Sequence, residues 1–177
     1  MLKLIKRSRV AGAGLAVLIC GALAATAIAL PAAHVALVES VGRKCAFLAG
    51  AVSDLGLANV EVVNERAEAW SEGIGAQDLV VARALAPLPV LVEYAAPLLE
   101  LGGALVAWKG RPESAEEADG AAAAEALGMN APLAIAVEPF AGARERHLYL
   151  TSKVSPTPDR YPRRPGMARK RPIQASS

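Results

Sequence analysis

The chain has two cysteines among its 177 residues, Cys20 and Cys45. Two such distant thiols make neither a disulfide framework nor a metal motif, so a reducing compartment is the default. Aromatic residues are scarce, at 4%. That disfavours a β-sandwich and leaves the core to Ala, Val and Leu. Histidine is rarer still, with two residues. His34 lies in an apolar run and reads as structural, and His147 lies in a basic segment with no Ser or Cys partner at a catalytic spacing. No cluster of metal ligands appears, so no metal is expected. These absences point to binding and positioning rather than to hydrolysis.

What is present is apolar residue, 54% of the chain, in a length that suits one domain with a proper core. Composition of this kind fits a parallel sheet flanked by alanine-rich helices. The net charge of +2 hides an asymmetry. Residues 1–9 carry four basic groups and no acid; residues 10–143 carry six basic against fifteen acidic groups. Residues 144–177 carry nine basic groups against two acids. A basic tail on an acidic body suits a polyanionic partner, since Lys and Arg gain affinity by releasing counterions from phosphates. A solvated, disordered end is the other reading.

The N-terminal thirty residues stand apart. After the basic start, residues 10–30 contain no charge, and Ala25-Thr26-Ala27 supplies a small-x-small pattern. This is the pattern of a secretory signal peptide or of a short membrane anchor, the one circumstance in which a membrane partner is expected. A second reading takes Gly12-Ala13-Gly14-Leu15 as a glycine-rich turn after the first strand of a nucleotide-binding sheet. Gly12 and Gly14 are then candidate cofactor-loop residues, although no acidic residue precedes them.

From His34 the pattern alternates. Residues 34–38 read as a strand, and residues 41–55 as an amphipathic helix with Val41, Cys45, Leu48, Val52 and Leu55 on one face. Ser40 is its expected N-cap and Gly56 its stop. Strands are expected at residues 60–63, 78–82 and 104–108, with helices at 87–99 and 113–127. Gly102-Gly103 separates helix from strand, and residues 133–137 and 147–153 form a terminal pair of strands. Such alternation implies a parallel sheet with right-handed crossovers.

Ligands of such sheets bind at the carboxyl ends of the strands. Glu39, Arg83 and Lys109 stand there, with Glu68 one turn further on. Glu39 could accept hydrogen bonds from both hydroxyls of a ribose, or serve only as a helix-start acid. Arg83 and Lys109 would suit a phosphate or nucleic acid, or could pair internally with Glu68 or Glu93.

Five ordered motifs carry a family resemblance. They are Leu37-Val38-Glu39-Ser40-Val41-Gly42-Arg43-Lys44; Asn59-Val60-Glu61-Val62-Val63 with Arg66-Ala67-Glu68; and Val81-Ala82-Arg83-Ala84-Leu85-Ala86-Pro87-Leu88. The remaining two are Leu105-Val106-Ala107-Trp108-Lys109-Gly110 and the tail Thr157-Pro158-Asp159-Arg160-Tyr161-Pro162-Arg163-Arg164-Pro165-Gly166. Residues 34–173 resemble the bacterial 16S ribosomal RNA guanine-N7 methyltransferases, the glucose-inhibited division protein B family. The resemblance implies an α/β, Rossmann-like class I methyltransferase that uses S-adenosylmethionine, is cytoplasmic, and acts on 16S ribosomal RNA or the small ribosomal subunit. It implies that Glu39 holds the ribose, that Ala67 and Glu68 frame the adenine, and that Arg83 borders cofactor and target. Lys109, Arg146, Arg163 and Arg164 would face RNA. It also implies a truncated or aberrant start, with the first strand and glycine loop degraded and family sequence resuming near Ile28. The expected organisation is an atypical segment 1–30, a methyltransferase domain 31–154 and a basic tail 155–177. An inactive RNA-binding remnant and an exported or anchored protein are the alternatives.

Overall fold

The computed structural model describes residues 14–18, 23–83 and 86–176. A first run of elements comprises β1 (Gly14–Leu18), α1 (Leu23–Ala29), β2 (His34–Val38), α2 (Gly42–Asp54) and β3 (Val60–Val63). After two single turns of 3₁₀ helix, Ala67–Ala69 and Ser71–Gly73, come β4 (Gln77–Arg83), α3 (Leu88–Leu98), β5 (Leu99–Lys109) and α4 (Ser114–Ala126). Then follow β6 (Leu133–Ala136), β7 (His147–Ser152) and α5 (Met167–Lys170).

The strands form one sheet in the order β3-β2-β1-β4-β5-β7-β6. The first five are mutually parallel, while β7 runs antiparallel to β5 and β6 antiparallel to β7. The order reverses between β1 and β4. In sheets of this topology, ligands bind at the carboxyl edge beside such a switch point.

Alternation in the sequence maps onto the two faces of the sheet. Val35 and Leu37 pack with Ala27 of α1 and Leu48 of α2 on one side. Ala36, Val38, Val80, Ala82, Leu105 and Ala107 face the other side, where α3 and α4 cover them. All eleven residues of α3 are buried, Glu93 included. Its uniform apolarity is thus the mark of a helix enclosed on every side.

Three sequence expectations are corrected here. First, the described part of the N-terminal stretch, residues 14–18 and 23–30, is not an isolated apolar segment. β1 occupies residues 14–18, pairing with β2 on one side and β4 on the other, and α1 buries Ala27 against the sheet. The domain therefore extends to Gly14 and does not begin at residue 31. A continuous span across a membrane is incompatible with that pairing, and among the described residues no helix is long and apolar enough to cross one.

Second, two boundaries differ. α2 has Val41 as its N-cap with no side-chain cap bond, because the Glu39 carboxylate, not Ser40, accepts the Val41 N–H at 2.9 Å. Gly56, with φ +62°, follows the helix as expected. β5 begins at Leu99, directly after α3, and runs through both glycines. A Cβ at Gly103 would lie 2.9 Å from the Gln77 carbonyl oxygen, so glycine is what lets β5 close on β4.

Third, the basic tail is folded onto the body. Lys153 Nζ donates to the Ala96 and Leu99 carbonyls at 2.8 and 2.7 Å, closing the carboxyl end of α3. Thr157 Oγ1 donates to Ala96 and Leu127 carbonyls at 3.1 and 3.2 Å. Gly166 N–H donates to Glu68 Oε1 at 2.8 Å, and Ala175 N–H to Asp119 Oδ1 at 2.8 Å. A solvated, disordered end does not describe residues 155–176.

Candidate active site

The crevice edge divides at the β1–β4 switch point. On the β2–β3 side stands Glu39, immediately after β2. Its main chain is fixed by Glu39 N–H to the Val63 carbonyl at 3.0 Å and by Asn64 Nδ2 to the Glu39 carbonyl at 3.0 Å. Its side chain is 10% exposed, with Oε1 bound to Val41 N–H and Oε2 3.4 Å from Lys44 Nζ. A carboxylate accepts at about four lone-pair sites, so both oxygens keep capacity for a diol. Such an acceptor set fits the ribose of an adenosyl cofactor. Ala67 is buried below the same edge. Glu68 is engaged by Gly166 of the tail, and its charge, after burial, raises the Tyr94 phenol above its ordinary value. Asn64 carries no signal in the sequence beyond following a strand, and only the fold reveals its role at Glu39.

Gly12 lies outside the described residues, as do residues 19–22, which follow β1. Gly14 opens β1 and pairs with His34, at the amino end of the strand. That is the edge opposite the ligand crevice, so Gly14 is corrected from a cofactor-loop residue to a strand residue.

On the β4–β5 side a cleft of about 420 Å³ is lined by Arg83, Trp108, Lys109, Phe140, Arg146 and His147, among others. Three of the expected site residues meet here: Arg83, Lys109 and Arg146. The Arg83 guanidinium lies over the Trp108 ring, 5.8 Å from its centroid, a cation–π arrangement. Lys109 pairs with Glu116, whose Oε1 also accepts the Leu88 N–H at 2.6 Å. Its internal partner is therefore neither Glu68 nor Glu93. Arg146 is exposed, with its carbonyl bound to Val137 N–H. His147 and Phe140 enter the site although sequence reasoning assigned them nothing. The antiparallel return of β7 brings His147 opposite Lys109.

Arg163 is not here. Its Nε donates to Glu93 Oε1 at 2.6 Å and its Nη2 to Glu93 Oε2, with a further bond to the Arg171 carbonyl at 2.8 Å. The bond to Glu93 holds the guanidinium above its ordinary pKa. This corrects Arg163 from an RNA-facing cation to the pin that fastens the tail to α3. Arg164, next to it, is exposed.

A carboxylate at one end of the carboxyl edge and a basic and aromatic cleft at the other thus flank the switch point. Comparison with known proteins decides the family. The family model for rRNA small subunit methyltransferase G matches residues 11–148. The chain belongs to the rRNA small subunit methyltransferase G family. The match begins at residue 11, which corrects the expectation that family sequence resumes near Ile28. The Ribosomal RNA small subunit methyltransferase G of Rubrobacter xylanophilus is 42% identical over 153 residues, covering 83% of this chain and 59% of that protein. That of Chloroflexus aggregans is 40% identical, covering 82% and 62%. The chain thus spans about three-fifths of the length of the curated relatives it matches. Among solved structures, a 16S rRNA (adenine(1408)-N(1))-methyltransferase from Catenulisporales acidiphilia superposes with a TM-score of 0.69 at 16% identity, covering 83% of this chain and 88% of that one. A predicted O-methyltransferase from Agrobacterium tumefaciens gives 0.63 at 21%, covering 84% and 77%. These likenesses show the fold of the family member described here, that of class I S-adenosylmethionine-dependent methyltransferases.

Proposed function

We propose that this chain transfers a methyl group from S-adenosylmethionine to N7 of a guanine in 16S ribosomal RNA, in the cytoplasm. The observation that carries the reading is the pairing of two unlike sites across the switch point. Glu39 supplies an acceptor suited to a ribose diol, and the Arg83–Trp108 cleft supplies cations and an aromatic face suited to RNA. The relatives, ribosomal RNA small subunit methyltransferases, support the same target class.

The bound cofactor would supply an electrophilic methyl on a sulfonium. Guanine N7 already carries an in-plane lone pair, so the protein has no proton to remove at that atom. Its residues need only align the two partners and exclude water. Glu39 fixes the ribose end, Ala67 and the turn containing Glu68 frame the adenine, and Arg83 stands between cofactor and target. Lys109, Arg146 and Arg164 add positive field near the RNA, Lys109 with its charge largely met by Glu116.

Calorimetry with S-adenosylmethionine, followed by methyl transfer to 16S ribosomal RNA, tests this reading. Micromolar binding and transfer to guanine N7 are expected. A folded chain that binds RNA but no cofactor would make it an RNA-binding remnant instead.

A further inference from the structure

We propose that His147 is the residue that selects guanine, accepting a hydrogen bond from the Watson–Crick edge of the target base while Trp108 supplies its stacking face. The inference rests on the methyltransferase reading and extends it to specificity.

The need for such a residue follows from the chemistry. Adenine and guanine both carry N7 with an available lone pair, so the reacting atom cannot tell them apart. They differ on the Watson–Crick edge, where guanine presents N–H donors at N1 and N2 and adenine presents an acceptor at N1. The N1–H and N2–H that set guanine apart from adenine can be read only by an acceptor.

The cleft contains one. Its lining side chains are Arg83, Trp108, Lys109, Val137, Pro139, Phe140, Arg146 and His147. Arg, Lys and Trp only donate, and Val, Pro and Phe do neither, which among the described residues leaves His147 as the side chain able to accept. Its tautomer is set by the backbone. His147 Nδ1 lies 3.0 Å from the Gly110 carbonyl oxygen. A carbonyl oxygen only accepts, so Nδ1 carries the hydrogen, and in the neutral ring the lone pair then resides on Nε2. No protein group among the described residues bonds to Nε2. His147 is also held firmly, as the first residue of β7, paired with Lys109 of β5 and Ala136 of β6.

The rest of the cleft fits a splayed base. The Arg83 guanidinium, 5.8 Å from the Trp108 centroid, sets a cation beside an aromatic ring, and Phe140 is 67% exposed at the rim. Single-stranded RNA bases stack on such surfaces. A volume of about 420 Å³ falls in the range of about 300–1,000 Å³ typical of small-ligand pockets. A base read along its Watson–Crick edge keeps N7 on its opposite side, free for the methyl.

The test uses the whole chain and the variants His147→Phe, which keeps a ring without either nitrogen, and His147→Gln, whose amide can still accept near the Nε2 position. Binding of guanosine 5′-monophosphate and adenosine 5′-monophosphate is followed by NMR titration, and methyl transfer to 16S ribosomal RNA in parallel. Wild type should prefer the guanine nucleotide by about 10- to 100-fold. His147→Phe should erase that preference by weakening guanine binding alone, lower kcat/KM on RNA by a similar factor and leave S-adenosylmethionine affinity unchanged; His147→Gln should recover part of both. Equal weakening of both nucleotides by His147→Phe, or a preference that survives it, would overturn the proposal. A guanine preference that depends on His147 in a chain without methyl transfer would sink the enzymatic reading while sustaining the pocket.

Discussion

Arg163 and Glu93, 70 positions apart, form a bidentate ion pair that ties the tail to the enclosed helix α3. The Glu93 side chain is 3% exposed and that of Arg163 25%. A carboxylate so buried is costly unless it is paired, so the value of the contact lies in what its loss would leave behind. Arg163→Ala should therefore lower stability by about 3 kcal/mol, toward the lower end for a broken buried pair because the guanidinium is partly solvated. Urea denaturation of Arg163→Ala and of the double variant Arg163→Leu/Glu93→Leu checks this. The double variant should be the more stable of the two.

The neighbouring Arg164 should behave differently. As an exposed cation in the tail, it is expected, on the proposed function, to act through counterion release from RNA rather than through folding. Arg164→Ala should leave the denaturation midpoint in place and reduce the slope of log affinity against log salt by about one. Binding of 16S ribosomal RNA at several salt concentrations measures the slope, and an unaltered slope would remove Arg164 from the interface.

Glu39 is predicted to dominate cofactor affinity on its side of the crevice. Glu39→Gln keeps the size and one acceptor but loses the charge-assisted bonds, which are worth about 1.5–3 kcal/mol, or about 10- to 100-fold in affinity. Calorimetry with S-adenosylmethionine should show that loss with little change in thermal stability. Unchanged affinity would exclude Glu39 from the ribose site.

Gly103→Ala should destabilise the sheet by about 1–3 kcal/mol. The added Cβ would meet three backbone oxygens, those of Gln77, Asp78 and Glu100, at 2.9 to 3.1 Å. Backbone cannot rotate aside as a side chain can. Thermal unfolding is the measurement, and an unchanged midpoint would mean that the β4–β5 pairing, whose register shifts between Gln77 and Leu79, absorbs a methyl group freely.

A pH effect is expected from Tyr149. Its hydroxyl donates to Glu117 Oε1 at 2.8 Å, and burial, reinforced by that bond, pushes its pKa up from 10.0 to about 12. Between those values the unfolded chain binds fewer protons at this site than the folded one, so stability falls as pH rises. Tyr149→Phe should show a shallower fall over the same window in chemical denaturation.

The sequence alone determined most of the sheet. Val35-Ala36-Leu37-Val38 and Leu105-Val106-Ala107-Trp108 are apolar runs bounded by turn residues, and local patterning is enough to place such strands and the charged residues that end them. The resemblance motifs then gave Glu39, Arg83 and Lys109 their order on one edge. β1 was not legible, because Gly14-Leu15-Ala16-Val17-Leu18 lies within an unbroken apolar stretch; a strand buried at the centre of a sheet and an anchor segment have the same local pattern. Its identity depends on pairing with β2 and β4, which are contacts distant in sequence. The tail was read as charge, since composition counts cations without seeing their partners. Only the tertiary structure decided that Arg163 is neutralised by Glu93 while Arg164 stays exposed, and that the return of β7 brings His147 beside Trp108 and Arg83. Local propensity acts within a few residues, whereas a site built from strand ends depends on the order in which the whole sheet assembles.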